Sequence, residues 1–458
     1  MRLAFAAPAL ALLAACIHIA PRPISPTLTA HDLESRSLSD ARMQQFVAAH
    51  VPNAQLPLTR WDLESLTLAA FYFHPDLDVA RAEAAVARAA IVTAGERPNP
   101  TLSLPIEHKS EVKPWIVVLG IDIPIETANK RGLRVRHARD LSLAAELAIA
   151  QSAWQVRSGI RTQLVALKTA NDATAILRRQ RDTQNDLVEA LQKRLELGAG
   201  SRIELTQARI AARQSAMLLR DREAQAAQAH ARLAAAVGVP EAGAREADLL
   251  FDLHQLVPRD LDITALRERA LVARADMLVS LANYAAAESD LRLELARQYP
   301  DLHLSPGFGW DQGARRWDLG LSSGLPIFSR NRGAIGEAEA RRAAGEARVI
   351  ALQSRIIAAT DEAAAQYQNA LQKLNDATSA LTMQRTQIQG ARLSFNAGQT
   401  DRVALRTSEL ELASAELAEA DALAQVQQAL GALEDAIEQP LTASMPEVPI
   451  VNPRESGR

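Results

Sequence analysis

The chain has 458 residues, enough for two or three ordinary domains, and its formal charge is only −3, with no basic stripe to mark a nucleic-acid surface. Aromatic residues make up 4% of it, while alanine, leucine, arginine, glutamate and glutamine dominate. That balance predicts long helices rather than a compact aromatic core.

The N-terminus reads MRLAFAAPALALLAACIHIA. Arg2 is a minimal basic segment, and the apolar run from Leu3 to Leu13 is too short to span a bilayer as a mature helix. Leu13-Ala14-Ala15-Cys16 is similar to a bacterial lipobox, which makes residues 1–15 a lipoprotein signal peptide and Cys16 the lipidated N-terminus. A plain signal peptide with an incidental cysteine is the alternative. Cys16 is the single cysteine of the chain, so there is no disulfide framework and no thiolate cluster. Ile17 follows, where an aspartate retains bacterial lipoproteins at the inner membrane; this favours the outer membrane. Residues 16–60, rich in Pro, Ser and Thr, read as an extended arm. No other segment qualifies as a transmembrane helix, so any further crossing must be β.

From Trp61 a helical pattern runs on either side of a His74-Pro75 break and stops at Pro98 and Pro100. Two strand candidates follow, within about 100–126. Leu102, Leu104 and Ile106 alternate with Thr101, Ser103 and Pro105. Trp115, Val117, Leu119, Ile121, Ile123 and Ile125 share one face, and Gly120, Asp122, Pro124 and Glu126 lie on the other, with Ile116 and Val118 as exceptions. Helix is then predicted from Leu133 to Leu197, roughly 100 Å at 1.5 Å per residue. Val156, Ile160, Leu164 and Leu167 form an apolar stripe on it, and Leu187, Leu191 and Leu195 a later one. Gly198-Ala199-Gly200 stops this helix, and Ser201 caps the next, which ends at Val237.

The second half repeats the order at a nearly constant offset. Leu66 answers Leu266, Asp76 answers Asp276, Pro100 answers Pro300, Pro124-Ile125 answers Pro326-Ile327, Gly198 answers Gly398 and Pro240 answers Pro440. The spacing predicts an internal duplication, 61–240 and 261–440, followed by a tail, 441–458. In the second hairpin, about 300–327, Leu302, Leu304, Pro306, Phe308 and Trp310 face one way and His303, Ser305, Gly307, Gly309 and Asp311 the other. In the return strand Trp317, Leu319, Leu321 and Leu325 oppose Arg316, Asp318, Gly320, Ser322 and Gly324.

Such alternation fits a soluble hairpin packed on a core, or a transmembrane barrel that is apolar to lipid and polar to a lumen. The small, polar second face, the gathering of Trp115, Tyr299, Trp310 and Trp317 near the hairpins, and the lipobox favour the barrel. Four strands close no barrel, and an open edge in lipid leaves backbone groups unpaired. On the barrel reading the chain must therefore oligomerise. Lys130-Arg131 and Arg330-Arg332 then sit where strand becomes helix, at the water–membrane boundary.

Over nearly its whole length this layout resembles the TolC-like outer membrane factor family. The resemblance implies a mainly helical fold with a small transmembrane β part. Duplicated long-helix hairpins would form a periplasmic α-barrel, and four strands per chain would enter a trimeric twelve-stranded β-barrel. It implies a homotrimer in outer-membrane lipid, a periplasmic adaptor (membrane fusion protein) and an inner-membrane RND pump as partners, and no cofactor. PIETANKRGLRVRHA and PIFSRNRGAIGEAEA are most similar to the heavy-metal RND branch (CzcC-like). That branch commonly carries two glycines where this chain has Ala128-Asn129. The Asp-Leu-Phe-Gly-Arg turn usual in the drug-efflux branch is absent.

Gly198, Ala199, Gly200 and Ser201, and Gly398, Gln399, Thr400 and Asp401, match the family's periplasmic tips, which implies adaptor contact. Plain helix-hairpin chemistry explains the same residues without a partner. Relatives often place a gate carboxylate six residues past the tip glycine; Glu204 stands there in the first repeat and Ala404 in the second, so a carboxylate gate would use Glu204 and Asp401. No nucleophile, metalloprotease or P-loop motif is present, so no enzyme is expected and energy must come from a partner. The nine histidines are scattered, with no pair at i, i+4 and no metal-ligand set. His108 and His303 lie in or beside the hairpins and are candidates to face the lumen. The expected function is the exit duct of a tripartite efflux system for heavy-metal cations. Drug or organic-solute efflux and type I secretion are variants of that reading, and a periplasmic coiled-coil lipoprotein is the rival from another class.

Overall fold

The computed structural model describes residues 19–51, 55–108, 110, 115–255, 261–311, 313–442 and 445–454. The lipobox and Cys16 lie outside them.

The element order is α1 (Pro26–Glu34), α2 (Ala41–His50), β1 (Arg60–Trp61), α3 (Leu63–Phe73), α4 (Pro75–Gly95), β2 (Thr101–Ser103), β3 (Ile106–His108), β4 (Trp115–Ile125), α5 (Lys130–Glu196), α6 (Arg202–Val237), α7 (Glu241–Ala244) and β5 (Asp248–Leu249). Then come α8 (Ile263–Ala273), α9 (Ala275–Ala296), β6 (Leu302–Asp311), β7 (Ala314–Ser323), α10 (Arg332–Asn396) and α11 (Arg402–Ile437). The two halves run through the same sequence of helix pair, strands, very long helix and return helix.

Part of the N-terminal arm is helical rather than extended. Asp40 caps α2 by accepting from the Met43 N–H, and Met43 and Val47 are fully buried against the first repeat. Ordering an apolar face there outweighs the weak local signal of the Pro- and Ser-rich flanks. The parallel pair β1–β5, two residues per strand, also had no sequence signal.

Asp62 and Ser65 form a reciprocal capping box that starts α3. His74 is extended at ψ 126°, as a residue before proline must be, and Pro75 opens α4. α5 and α10 have 67 and 65 residues, so each runs about 100 Å. α4 packs on α5, and α9 packs between α5 and α10, at the strand end. α6 packs on α5, and α11 on both α5 and α10, in the half beyond. The lateral order is therefore α4–α5–α9–α10 near the strands and α6–α5–α11–α10 near the helix turns. The largest core gathers Met43 of the arm with Trp61, Phe71, Leu77, Ile160, Leu164, Leu233 and Val237 of the first repeat. No helix among the described residues is long and apolar enough to cross a membrane.

The strands form one antiparallel sheet, in the order β2/β3–β4–β6–β7. The first strand is broken at Pro105, which has no N–H to give the ladder, yet the register does not slip: Ser103 faces Gly120 and Ile106 faces Val117. Leu304 lies opposite both Ile123 and Leu321, and Phe308 opposite both Leu119 and Trp317. One face is thus apolar across all strands, and it is uncovered, with Trp317 81% and Leu319 76% exposed. β2/β3 and β7 are free edges.

Candidate functional site

The polar face of the sheet is the first functional surface. Asp122 on β4 accepts from Ser305 Oγ at 2.8 Å and pairs with His303 Nδ1 at 2.8 Å, both on β6, so one carboxylate ties the two hairpins together. Arg316 on β7 reaches Asp318 at 2.7 Å and Asp311 at 3.7 Å. Glu107 lies on the same face, opposite Ile116. On the described strands this register therefore carries Glu107, Asp122, Asp311 and Asp318 and one guanidinium, that of Arg316. Of the two hairpin histidines, His303 lies on this polar register, but His108 lies on the apolar one, beside Trp115 with ring centroids 4.7 Å apart. The two-residue period of the strand decides the difference.

The strand-to-helix junction is the second. Ala128 and Asn129 have φ of 53° and 56°, and Asn331 has φ 59°. A left-handed turn at these places explains why glycines suit the position and why the long helices leave the sheet without a linker. Lys130 stands where strand becomes helix, as the sequence placed it, but its side chain is buried rather than offered to solvent. Its Nζ donates to Asp301 at 2.7 Å and to the Tyr299 carbonyl at 2.6 Å, while Asp301 also accepts from the Thr127 N–H at 2.9 Å. The second junction uses other chemistry: Asn331 Nδ2 donates to the carbonyl and carboxylate of Glu294, and Arg330 and Arg332 are exposed as expected.

Midway along α5, at the C-terminal end of α11, the two helices are joined by buried charge. Glu434 sits between Arg157 at 3.4 Å and Arg161 at 3.2 Å, and its other oxygen accepts from the Leu441 N–H at 2.7 Å. Arg161 also donates to the Gln427 carbonyl and side chain at 2.8 and 3.0 Å. Burial pulls the Arg161 guanidinium below its usual range against the attraction of Glu434. A Cβ at Gly431 would stand 2.3 Å from that guanidinium and would push it from its place beside Gln427 and Glu434. Next to it, Asp435 accepts from Trp154 Nε1 at 3.0 Å and Ser158 Oγ at 2.7 Å. Burial pushes its carboxyl above the usual range in spite of these donors. Sequence reading missed this cluster, because Arg157 and Arg161 read as ordinary helix arginines; their i, i+4 spacing on an apolar stripe was the available signal.

The helix turns are the third surface. Gly198 and Gly398 have φ of 74° and 70° and open space around a Cβ. In each turn two N–H groups satisfy the last carbonyls: Gly198 to Leu195 and Ala199 to Arg194, then Gly398 to Phe395 and Gln399 to Ser394. Ser201 accepts from the Ile203 N–H at 3.2 Å and Asp401 from the Ala404 N–H at 2.8 Å. Gly200 and Thr400 are not equivalent, since a Cβ on Gly200 would meet the Leu195 nitrogen at 2.7 Å. Asp401 also pairs with Arg194 at 3.0 Å, which links the turn of one repeat to the turn of the other. Glu204 is exposed in the first turn of α6, and no ion pair reaches it among the described residues. The two gate candidates are therefore in different states: Asp401 is a helix cap already held by a cation, and Glu204 is free. Among the described residues no group of histidines, cysteines and carboxylates is arranged to hold a metal ion.

A family model described as outer membrane efflux protein matches residues 71–239 and 266–438. The outer membrane protein VceC from Vibrio cholerae superposes with a TM-score of 0.67 at 20% identity, over 82% of this chain and 95% of its own. A membrane protein from Pseudomonas aeruginosa gives 0.68 at 16% identity, over 92% and 99%. CusC gives 0.66 at 17% identity, over 92% and 99%. These structures establish the shared fold. No curated protein sequence matches. The two matched stretches take in both long-helix hairpins and all the strands of the sheet, and the chain belongs to the outer membrane efflux protein family, whose members are outer-membrane transport ducts reaching into the periplasm rather than enzymes.

Proposed function

We propose that this chain forms the trimeric exit duct of a tripartite efflux system that carries heavy-metal cations. The observation that carries the cargo is the charge of the polar sheet face. On the described strands four carboxylates, Glu107, Asp122, Asp311 and Asp318, share this face with one guanidinium, Arg316, and a ring of such faces concentrates cations by field focusing. Among the described residues this wall holds no tight ligand set, which suits ions that must leave as easily as they enter.

The free edges support the ring. α4, α6 and β2/β3 lie on one lateral side of the chain, and α10 and β7 on the other. Apolar side chains stand exposed along both sides: Val79, Val86, Ile210 and Met217 on the first, Ile350, Ile357 and Met383 on the second. Two unlike, complementary edges make a head-to-tail contact that closes by rotation. Three copies supply twelve strands, within the known range of membrane barrels. Cys16 is the proposed lipid anchor. Gly198, Ala199, Gly200, Ser201, Gly398, Gln399, Thr400 and Asp401 are the proposed contact with a periplasmic adaptor, and Glu204 with Asp401 the proposed gate. The energy source is an inner-membrane RND pump.

The test is growth of a deletion strain on graded metals and drugs, with complementation. Restorable sensitivity to zinc, cobalt, cadmium, nickel, copper or silver is expected. Sensitivity confined to dyes, detergents or antibiotics would replace the cargo with organic solutes, and loss of a secreted protein would make the chain a type I secretion duct.

A further inference from the structure

Arg315 and Arg316 are neighbours on β7 that face opposite sides of the sheet. Arg316, on the polar register, is neutralised by Asp318 and Asp311. Arg315 stands opposite Trp310 and shares the apolar register with Trp317 and Leu319. It is exposed, and among the described residues no ion pair reaches it. It is also the one lysine, arginine, aspartate or glutamate on the apolar register of the described strands.

Its depth is defined. Arg315 lies one rung from the β6–β7 turn, at the end of the sheet farthest from the helices. Since the helices reach into the periplasm, this end meets the outer leaflet. Phe308 meets Trp310 edge to face at 5.1 Å and the tilted ring of Trp317 at 4.5 Å, an aromatic group of the kind that marks headgroup level. A cation on a lipid-facing strand is tolerated near that level and strongly disfavoured deeper. Ring closure as proposed above would lay β2/β3 of a second copy beside β7. Among the described residues the apolar register of that edge offers Leu102, Ile106 and His108, and no carboxylate.

We propose that Arg315 binds the phosphate of a phosphorylated glycolipid of the outer leaflet. The guanidinium fork matches two phosphate oxygens, and the Trp310 and Trp317 rings cover the sugar and the first methylenes. The occupant is a lipid headgroup rather than free phosphate, because the surface around Arg315 is apolar and faces lipid. The assignment rests on outer-membrane placement and strand register, not on the cargo.

The test uses full-length protein extracted in mild non-ionic detergent, with phosphorylated glycolipid per chain read by native mass spectrometry. Arg315→Gln is expected to retain at least about tenfold less glycolipid than wild type, the loss of a charge-assisted bidentate contact. Arg315→Lys, which keeps the charge without the fork, should fall between the two and guards against a folding defect. Arg316→Gln should retain the wild-type amount, and excess inorganic phosphate should displace none. Equal retention by Arg315→Gln and wild type, equal loss in Arg316→Gln, or release by inorganic phosphate would each overturn the assignment.

Discussion

Replacing Glu434 with leucine should loosen the joint between α5 and α11 far more than a surface ion-pair change. Its side chain is 1% exposed, and those of Arg157 and Arg161 are 2% and 5%. At 3.4 and 3.2 Å each guanidinium contributes an attraction of roughly 5 kcal/mol at an effective dielectric near 20. The desolvation of the carboxylate offsets much of that sum, but truncation leaves two buried cations facing each other, and the net cost of such a break is about 3–5 kcal/mol. Tenfold in an opening constant is about 1.4 kcal/mol, so amide hydrogen exchange in Gln427–Ile437 should speed up by about two to nearly four decades. The triple change Arg157→Met, Arg161→Met and Glu434→Leu removes all three charges and should recover most of the loss. The shortfall is about 1 kcal/mol each for Gln427, which forfeits its Arg161 donor, and for the Leu441 N–H, which forfeits its Glu434 acceptor. An exchange change below one decade in Glu434→Leu, or a triple variant as loose as the single one, would refute the argument from uncompensated buried charge.

Three further outcomes are expected. Burial holds the Asp435 proton in the native state at pH values where the unfolded chain has lost it. Its contribution to stability is complete below the unfolded carboxylate's range and is lost as pH rises through the higher folded value. Asp435→Asn removes that dependence, so urea midpoints of the detergent-solubilised protein should fall less steeply from acid to neutral pH than in wild type; identical slopes would contradict this. Ala128→Gly relieves a φ of 53° and should stabilise the protein by up to about 1 kcal/mol after the entropy of the unfolded glycine is counted. A lowered thermal midpoint would show that the left-handed turn carries no strain. Glu107→Gln with Asp122→Asn should shift the zero-current potential under a salt gradient in planar bilayers toward lower cation preference, and no shift would place these carboxylates off the conduction path.

Much of this architecture is written in local patterns. α5 runs from Lys130 to Glu196 where periodicity placed it from Leu133 to Leu197, because a helix of this kind is specified within each turn by an apolar stripe and at its end by Gly198. The His74-Pro75 break, the caps Ser201 and Asp401, and the two-residue alternation of the strands are equally local. So are the tip residues: positive φ demands glycine at 198 and 398, and the close approach to Leu195 demands it at 200, whatever meets them. Tertiary structure decided the rest. Lys130 turns inward because Asp301, 171 residues away, stands beside it, and Asp401 is held by an arginine 207 residues away. Glu434 and Arg157 meet across 277 residues. None of these pairs has a periodic signature, since each charge sits on a helix or turn that is sound without its partner. The sequence by itself determined the elements and their faces, because backbone hydrogen bonding and side-chain period are set by near neighbours. Which charges are buried and which sheet edges are left open followed only from bringing the two repeats side by side, where the low dielectric between α5 and α11 makes pairing obligatory.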